Sequence, residues 1–541
     1  MRWTNCNKGE LVALLALLAS LALLAPACAT VPPVVAAPAS PPSLLSSPPS
    51  PEHVLSTAAG DALRADLART FALPEVDHAL WAVKVQSMET DEVFYSLNPR
   101  TLVMPASNMK IITTAVAAER LGWDYRYETQ LLASGPVQRG RLLGDLIVRG
   151  SGDPTINAPP EENEENEEPG SVFDAWADQL RAAGISGIDG RIIGDDDAFD
   201  DEGRGKGWAW DDLPYGYATP GGALLHHDNV VELVVQAGQL PGAPASIELR
   251  PTGSGLVLVS RVMTSPTDGD FTLQLRRLPG QPTLVVTGRV PAGTEPFTQT
   301  ASVDNPTEFF VRALRETLVS HGIEVSGPAV DVDTIAAARG PEHQDHQSDI
   351  PVSGSVDHVL VSHLSPPLSE IATALMKLSQ NLYAENLLKT VGAGARPGTT
   401  EAGRESVREV LTAWGIPPDA YIIADGSGLS RYNYVTAGAL VTVLQKMHDL
   451  PRHAVAFETT LPVAGRDGTL DSRMKGTLAE GNVRAKTGFL ANVRALSGYV
   501  STRDDELVAF AIIANNFDVP PQVIDDVIDR AVERLANFTR D

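Results

Sequence analysis

Ser107 and Lys110 stand three residues apart in the stretch Met104-Pro105-Ala106-Ser107-Asn108-Met109-Lys110-Ile111-Ile112. On a helix that spacing puts both side chains on one face, within hydrogen-bonding reach. A serine hydroxyl is a weak nucleophile until a base takes its proton. A lysine can be that base when burial and neighbouring positive charge lower its pKa. A serine in the first helical turn also faces free backbone N–H groups that favour developing negative charge. Alone the pair carries little weight, because Ser-x-x-Lys arises by chance about once in a chain this long. Ser472-Arg473-Met474-Lys475 is a second match and reads as chance.

Order and distance add weight. Ser379-Gln380-Asn381 follows at a predicted helix break, and Lys486-Thr487-Gly488 follows on a predicted strand. Ser-x-x-Lys, then Ser-x-Asn, then Lys-Thr-Gly is the ordered set of serine penicillin-recognising enzymes. In that set Ser379 relays protons near a leaving amine, and Asn381 holds a substrate amide. Lys486 supplies positive charge on a strand along which an extended peptide can lie, and Gly488 keeps that strand edge open. Ser96-Leu97-Asn98 also fits the second motif, but it precedes the nucleophile and is set aside.

A fourth stretch is Asp425-Gly426-Ser427-Gly428-Leu429-Ser430-Arg431 with Asn433 beyond it. With it, the chain from His53 to Phe538 resembles the class C penicillin-binding proteins, the penicillin-binding protein 4 type. These are D-alanyl-D-alanine carboxypeptidase/endopeptidases. Gly150-Ser151-Gly152-Asp153-Pro154-Thr155 and Trp208-Ala209-Trp210-Asp211-Asp212-Leu213 carry the likeness too, as do Ser379 to Leu387 and Gly465 to Leu470. The resemblance implies an α/β fold of the α+β kind, with a catalytic domain interrupted by two β-rich domains. It implies an acyl-enzyme on Ser107 and an oxyanion hole from the backbone N–H groups of Ser107 and Phe489. It places Leu429 and Arg431 in the substrate pocket. It also carries Asp195 and Phe199 onto an inserted-domain pattern that reaches the diaminopimelate end of the peptide. Asp195-Asp196-Asp197 leaves that register open, and a solvated turn is the plain reading of the trio. One departure stands out: the family has Ser or Thr after Lys-Thr-Gly, where its hydroxyl helps hold the terminal carboxylate, and this chain has Phe489. Weaker carboxypeptidase than endopeptidase activity is the expectation.

The elements that must position these residues follow from periodicity. Leu63, Leu67 and Phe71 mark a helix, and Trp81 to Met88 and Val93 to Leu97 read as a hairpin. The Ser107 helix runs to Leu121 and stops at Gly122. From Asp124 to Ile350 the texture is β-rich, with strands such as Val230 to Val235, Leu256 to Val262 and Thr283 to Val286. The acidic run Glu161 to Glu168 and the polar stretch Arg339 to Ile350 read as loops. His226, His227, His343 and His346 read as surface residues rather than metal ligands. Leu368 to Val391 is helical with a break near Ser379. Strands at Val483 to Phe489, Ala495 to Val500 and Leu507 to Ala514 precede a last helix. The two early and three late strands can form one antiparallel sheet with helices on both faces. The expected boundaries are catalytic segments 53–125 and 351–541 around an insertion at 126–350.

Composition sets outer limits. The chain has 541 residues, enough for two or three domains, and a formal charge of −26, which argues against nucleic acid as partner. Arg2 and Lys8, the apolar run Leu11 to Ala25 and small residues after it read as a secretory leader, 1–29. Cleavage before Cys28 would instead give a lipid anchor there, the one expected tie to a membrane. Residues 30–52 form a Pro/Ala/Ser-rich linker. Both cysteines, Cys6 and Cys28, lie in the leader, so the folded part has no thiol chemistry. No metal or cofactor is expected. The expected partners are peptidoglycan stem peptides and β-lactams, in the periplasm or cell envelope. The rival readings are a serine β-lactamase and a non-catalytic wall-binding or β-lactam-sensing protein.

Overall fold

The computed structural model describes residues 54–159, 171–338, 358–394 and 397–541. The leader with both cysteines, the linker up to His53, the acidic run Glu161–Glu168 and the loop carrying His343 and His346 lie outside the described residues.

Two early strands, β1 (Leu80–Ser87) and β2 (Val93–Leu97), form a hairpin. Three late strands, β3 (Arg484–Leu490), β4 (Val493–Ser501) and β5 (Leu507–Asn515), form a meander. They join into one antiparallel sheet ordered β2-β1-β5-β4-β3, with β5 aligned against β1 from Leu80↔Asn515 to Ser87↔Val508. The sheet therefore unites residues about 400 positions apart, as the strand pattern predicts.

Alternation along β5 decides the layering. Val508, Phe510, Ile512 and Ala514 pack with the helices Ala58–Phe71 and Pro521–Ala536 on one face. Ala509, Ala511 and Ile513 pack on the other, with Met109–Leu121, Leu368–Lys377, Asn381–Gly392 and Ala437–Asp449. A strand buried on both faces reads as a continuous apolar run, which is what this sequence shows.

The middle of the chain builds its own cores. A mixed five-stranded sheet has Ala329–Asp331, Ile192–Asp195, Leu146–Arg149, Glu128–Ala133 and His358–Leu364 in that order. His358–Leu364 pairs with Glu128–Ala133, so this sheet draws on chain as far as Leu364. Two three-stranded sheets enclose a separate apolar core that includes Leu233, Val262, Leu284 and Val286. The region is not all β, however. The helices Val172–Ala182 and Pro306–Ser320 cover the mixed sheet with Phe173, Trp176, Leu180, Phe310, Leu314 and Leu318. Their apolar residues recur at helical spacing, and Asn305 caps the second by accepting from the Glu308 N–H. Many surrounding Gly and Pro residues obscure that signal.

His226 corrects a second expectation. It is buried, not at the surface, with its ring 4.8 Å from Phe173, and burial pushes its pKa down to about 3. A neutral imidazole serves there as a flat filler between the two helices, against Phe173 on one and Phe309 and Phe310 on the other.

Candidate active site

Ser107 lies in a 3₁₀ turn, Ala106–Asn108, that leads into the helix Met109–Leu121. The turn replaces the first α-helical turn expected from sequence. Within it Ala106 has φ +47, a left-handed conformation that a non-glycine residue adopts at a cost and that its surroundings must hold. The Asp425–Ser430 loop holds the turn from beneath. A Cβ on Gly428 would stand 1.9 Å from the Ala106 carbonyl oxygen, and Gly428 itself has φ +87, so this position requires glycine twice over. Strand β3 holds the turn from the side. A Cβ on Gly488 would meet the Pro105 carbonyl at 2.7 Å, and the Asn108 amide donates to the Lys486 carbonyl at 2.9 Å. Gly488 thus makes room for the serine turn rather than for a ligand.

Lys110 is wholly buried behind Ser107. Its Nζ lies 2.9 Å from Ser107 Oγ, 2.6 Å from Asn381 Oδ1 and 2.8 Å from the Ser427 carbonyl oxygen. Burial holds its pKa down to about 7, against the opposing pull of Asp425 and Glu385. The geometry suits the neutral form. A neutral amine has two N–H donors and one lone pair; the two carbonyl oxygens take the donors, and the lone pair is left facing the Ser107 hydroxyl.

Asp425 and Glu385 are the residues that sequence motifs alone do not reveal. Glu385 accepts from the Ser427 N–H at 2.9 Å and the Gly426 N–H at 3.2 Å. Burial and the charge of Asp425 push its carboxyl up. Asp425 accepts from the Gly428 and Ser430 N–H groups at 2.8 and 2.6 Å and from Trp208 Nε1 at 2.9 Å. That last bond ties the Trp208–Leu213 motif to the loop under the serine. The signal that could have found Asp425 is its place in an Asp-Gly-Ser-Gly turn, where one carboxylate satisfies several backbone donors.

The second and third motifs converge on the same point. Ser379 sits between the helices Leu368–Lys377 and Asn381–Gly392 with φ +61, which makes the predicted break. Asn381 turns its oxygen to Lys110 and its Nδ2 to the Tyr217 carbonyl, at 2.7 Å. Lys486 is wholly buried and donates to the Thr487 carbonyl at 3.1 Å; burial first, and then the charge of Lys110, hold its pKa well below the ordinary value. The edge of β3 is covered near its start, where the Ala485 N–H donates to the Pro462 carbonyl at 3.0 Å. Alternation puts the Thr487 and Phe489 N–H groups on that same edge, beyond the covering segment.

With the geometry in view, comparison decides the family. The model described as the D-Ala-D-Ala carboxypeptidase 3 (S13) family matches residues 63–538. The chain belongs to that family. It is 35% identical over 491 residues to the D-alanyl-D-alanine carboxypeptidase of Actinomadura sp. (strain R39), covering 88% of this chain and 85% of that one. It is 28% identical to the D-alanyl-D-alanine carboxypeptidase DacB of Haemophilus influenzae, covering 83% and 87%. Its fold resembles the crystal structure of penicillin binding protein 4 (dacB) from Haemophilus influenzae, with a TM-score of 0.73 at 26% identity over 88% of this chain and 99% of that one.

In this S13 peptidase the remaining predicted residues are placed as follows. Leu429 is buried, and Arg431 reaches across to the Ala491 carbonyl at 3.3 Å, beside the end of β3. Phe489 is 66% exposed, and its ring lies 3.8 Å from the guanidinium of its ladder partner Arg494. It projects from the same side of the strand as Thr487, opposite Lys486 and Gly488. Asp195 and Phe199 are not brought to the serine by any contact among the described residues. Asp195 is buried and paired with Arg149 at 2.8 Å. Phe199 is buried against Gly152 and Gly398, with Lys389 over its ring. Lys389 lies two turns along its helix from Asn381. The decoy Ser472 and Lys475 are both exposed and lie in turns. Asp196, Asp331 and Asp333 bring carboxylate oxygens within 4.8 Å of one another. Burial and the charge of Asp331 push Asp196 up to about 7, so protonation relieves the crowding.

Proposed function

We propose that Ser107 is the nucleophile of a D-alanyl-D-alanine carboxypeptidase/endopeptidase acting on peptidoglycan stem peptides, and that penicillins acylate the same oxygen. The observation that carries the reading is the hydrogen-bond inventory of Lys110, which leaves its lone pair for the Ser107 proton. Ser107 Oγ attacks the carbonyl of the penultimate D-alanine as its proton passes to Lys110 Nζ. The Ser107 and Phe489 N–H groups receive the oxyanion. The C–N bond then breaks, and the leaving amine takes its proton from Lys110 by way of Ser379. Asn381 orients the substrate amide, and Lys486, with the Thr487 hydroxyl, attracts its carboxylate. Leu429 and Arg431 border the pocket. Water, deprotonated by the same lysine, cleaves the ester and frees Ser107.

Segments 53–125 and 365–541 then serve as the catalytic domain, and the inserted domains run from 126 to the end of the strand His358–Leu364 rather than to 350. No helix among the described residues is long and apolar enough to cross a membrane. Residues 1–29 are read as an export leader, and the mass of the mature N-terminus decides between cleavage after Ala29 and lipidation of Cys28.

Mass spectrometry of a penicillin adduct is the direct test. The adduct should map to Ser107 and vanish in Ser107→Ala. An adduct elsewhere overturns the assignment, and rapid release of hydrolysed penicillin points to a β-lactamase instead.

A further inference from the structure

The sheet formed by Val257–Ser265, Thr283–Pro291 and Thr272–Arg276 has two unlike faces. Val262, Leu275, Leu284, Val286 and Val290 point into a core. The ladder register fixes what the other face shows. Its rows are Val259, Val285 and Arg276; then Arg261, Thr287 and Gln274; then Met263, Arg289 and Thr272. That outer face carries three arginines and no carboxylate. All three arginines are exposed, and none has an ion-pair partner among the described residues, although Arg276 donates to Gln274 Oε1 at 3.4 Å. Arg277, next in sequence to Arg276, behaves oppositely: it turns inward, 3.2 Å from Asp304.

Such a face is unusual on a chain of formal charge −26. Elsewhere its arginines are commonly paired, as Arg141 is with Asp189 and Glu324, and Arg473 with Asp529. Three guanidiniums on one face, each on its own strand and with no carboxylate beside it in the ladder, make a local positive field that a negatively charged partner complements. The partner's shape also follows. Rows on one face recur about every 7 Å along a strand. The three arginines occupy three successive rows, and the apolar Val259, Val285 and Met263 share two of those rows. An extended chain with repeated carboxylates and small apolar groups fits this stripe. A continuous anionic bilayer offers headgroup charge but no extended chain to lie along the strands, so it fits the spaced rows less well.

We propose that this face docks carboxylate-bearing stem peptides of polymeric peptidoglycan, separately from the Ser107 site. The partner's identity rests on the proposed function; the anionic character of the partner does not. The docking face keeps the enzyme on its polymer while Ser107 works on one stem at a time.

The test is co-sedimentation of the full chain with purified peptidoglycan sacculi. In Arg261→Ser/Arg276→Ser/Arg289→Ser, sacculus affinity should fall about tenfold, and salt should weaken wild-type binding in the same way. The Lys triple at the same positions should retain binding. Sacculi whose carboxylates have been amidated should bind wild type as weakly as the Ser triple binds untreated sacculi. Penicillin labelling and turnover of a soluble pentapeptide should be unchanged in both triples, which reports separately on the fold and on the proposed reaction. Unchanged sedimentation of the Ser triple overturns the proposal. So does wild-type binding to anionic vesicles but not to sacculi.

Discussion

Lys110 and Lys486 are both wholly buried, and burial first, then the charge of Lys110, holds the Lys486 pKa well below its ordinary value. The acids that favour a charge at Lys110, Asp425 and Glu385, do not offset its burial, and its pKa sits at about 7. A neutral Lys110 removes the smaller of the two causes that depress Lys486, and the burial of Lys486 remains.

The acylation rate should therefore rise with pH through about 7, because the base acts when unprotonated. Arginine at this position cannot lose its proton in the accessible range. Lys110→Arg should slow penicillin acylation by about a hundredfold or more and abolish the limb near pH 7. Rapid-mixing kinetics with a chromogenic penicillin measures both. A limb that persists in Lys110→Arg would assign the base to another group.

Gly428→Ala should disarm the serine without touching it. The new Cβ meets the Ala106 carbonyl at 1.9 Å in a backbone conformation of φ +87. The conformation alone costs about 1–2 kcal/mol, and relieving the contact moves Ala106 and with it Ser107. A total loss of about 3 kcal/mol in stability is expected, together with weak penicillin labelling. Denaturant unfolding and labelling on one preparation test the pair of effects. Full labelling with normal stability would show that Gly428 does not shape the turn.

Asp228 connects the middle of the chain to the second motif. Its Oδ2 accepts from Gln380 Nε2 at 3.3 Å, between Ser379 and Asn381. Burial pushes its pKa up to about 7, against a hydrogen bond from Tyr383. Because the folded carboxyl binds its proton more tightly than the unfolded one, its contribution is fully favourable below the unfolded pKa, near 4, and is lost as pH rises to about 7. Asp228→Asn keeps an acceptor for Gln380 without the charge. It should be more stable than wild type at pH 8 by at least about 1 kcal/mol, with the gap closing below pH 4. Thermal melts across that range test the sign. A gap that widens on acidification would contradict it.

What the sequence makes legible divides along physical lines. Strands and helices buried on one or two faces carry their own period. β5, the helix Met109–Leu121 and the break at Ser379 are therefore placed from residue types alone. The three motifs are legible because each is short and locally ordered. Asp425 and Glu385 are not, because their meaning lies in contacts made across about 40 positions of chain. The 3₁₀ turn at Ser107 is hidden for the same reason: it follows from the fit of Gly428 under Ala106, and a linear pattern does not contain that fit. Gly488 is recognisable in its motif, but the group it makes room for is Pro105.

Phe489 remains the residue where motif and chain differ, and its position makes the difference testable. A serine there would set a second hydroxyl beside that of Thr487, which bonds Thr469 Oγ1 at 2.7 Å. The phenyl ring offers a carboxylate nothing, and it rests on Arg494 instead. Phe489→Ser should forfeit that cation–π contact, about 0.5–1 kcal/mol at an exposed site. In exchange, one hydrogen bond to a charged carboxylate should raise pentapeptide kcat/KM about tenfold. Turnover of a cross-linked dimer should change far less, so the ratio of the two rates carries the result. Should wild type already cleave the pentapeptide faster than the dimer, the missing hydroxyl does not set the preference of this enzyme.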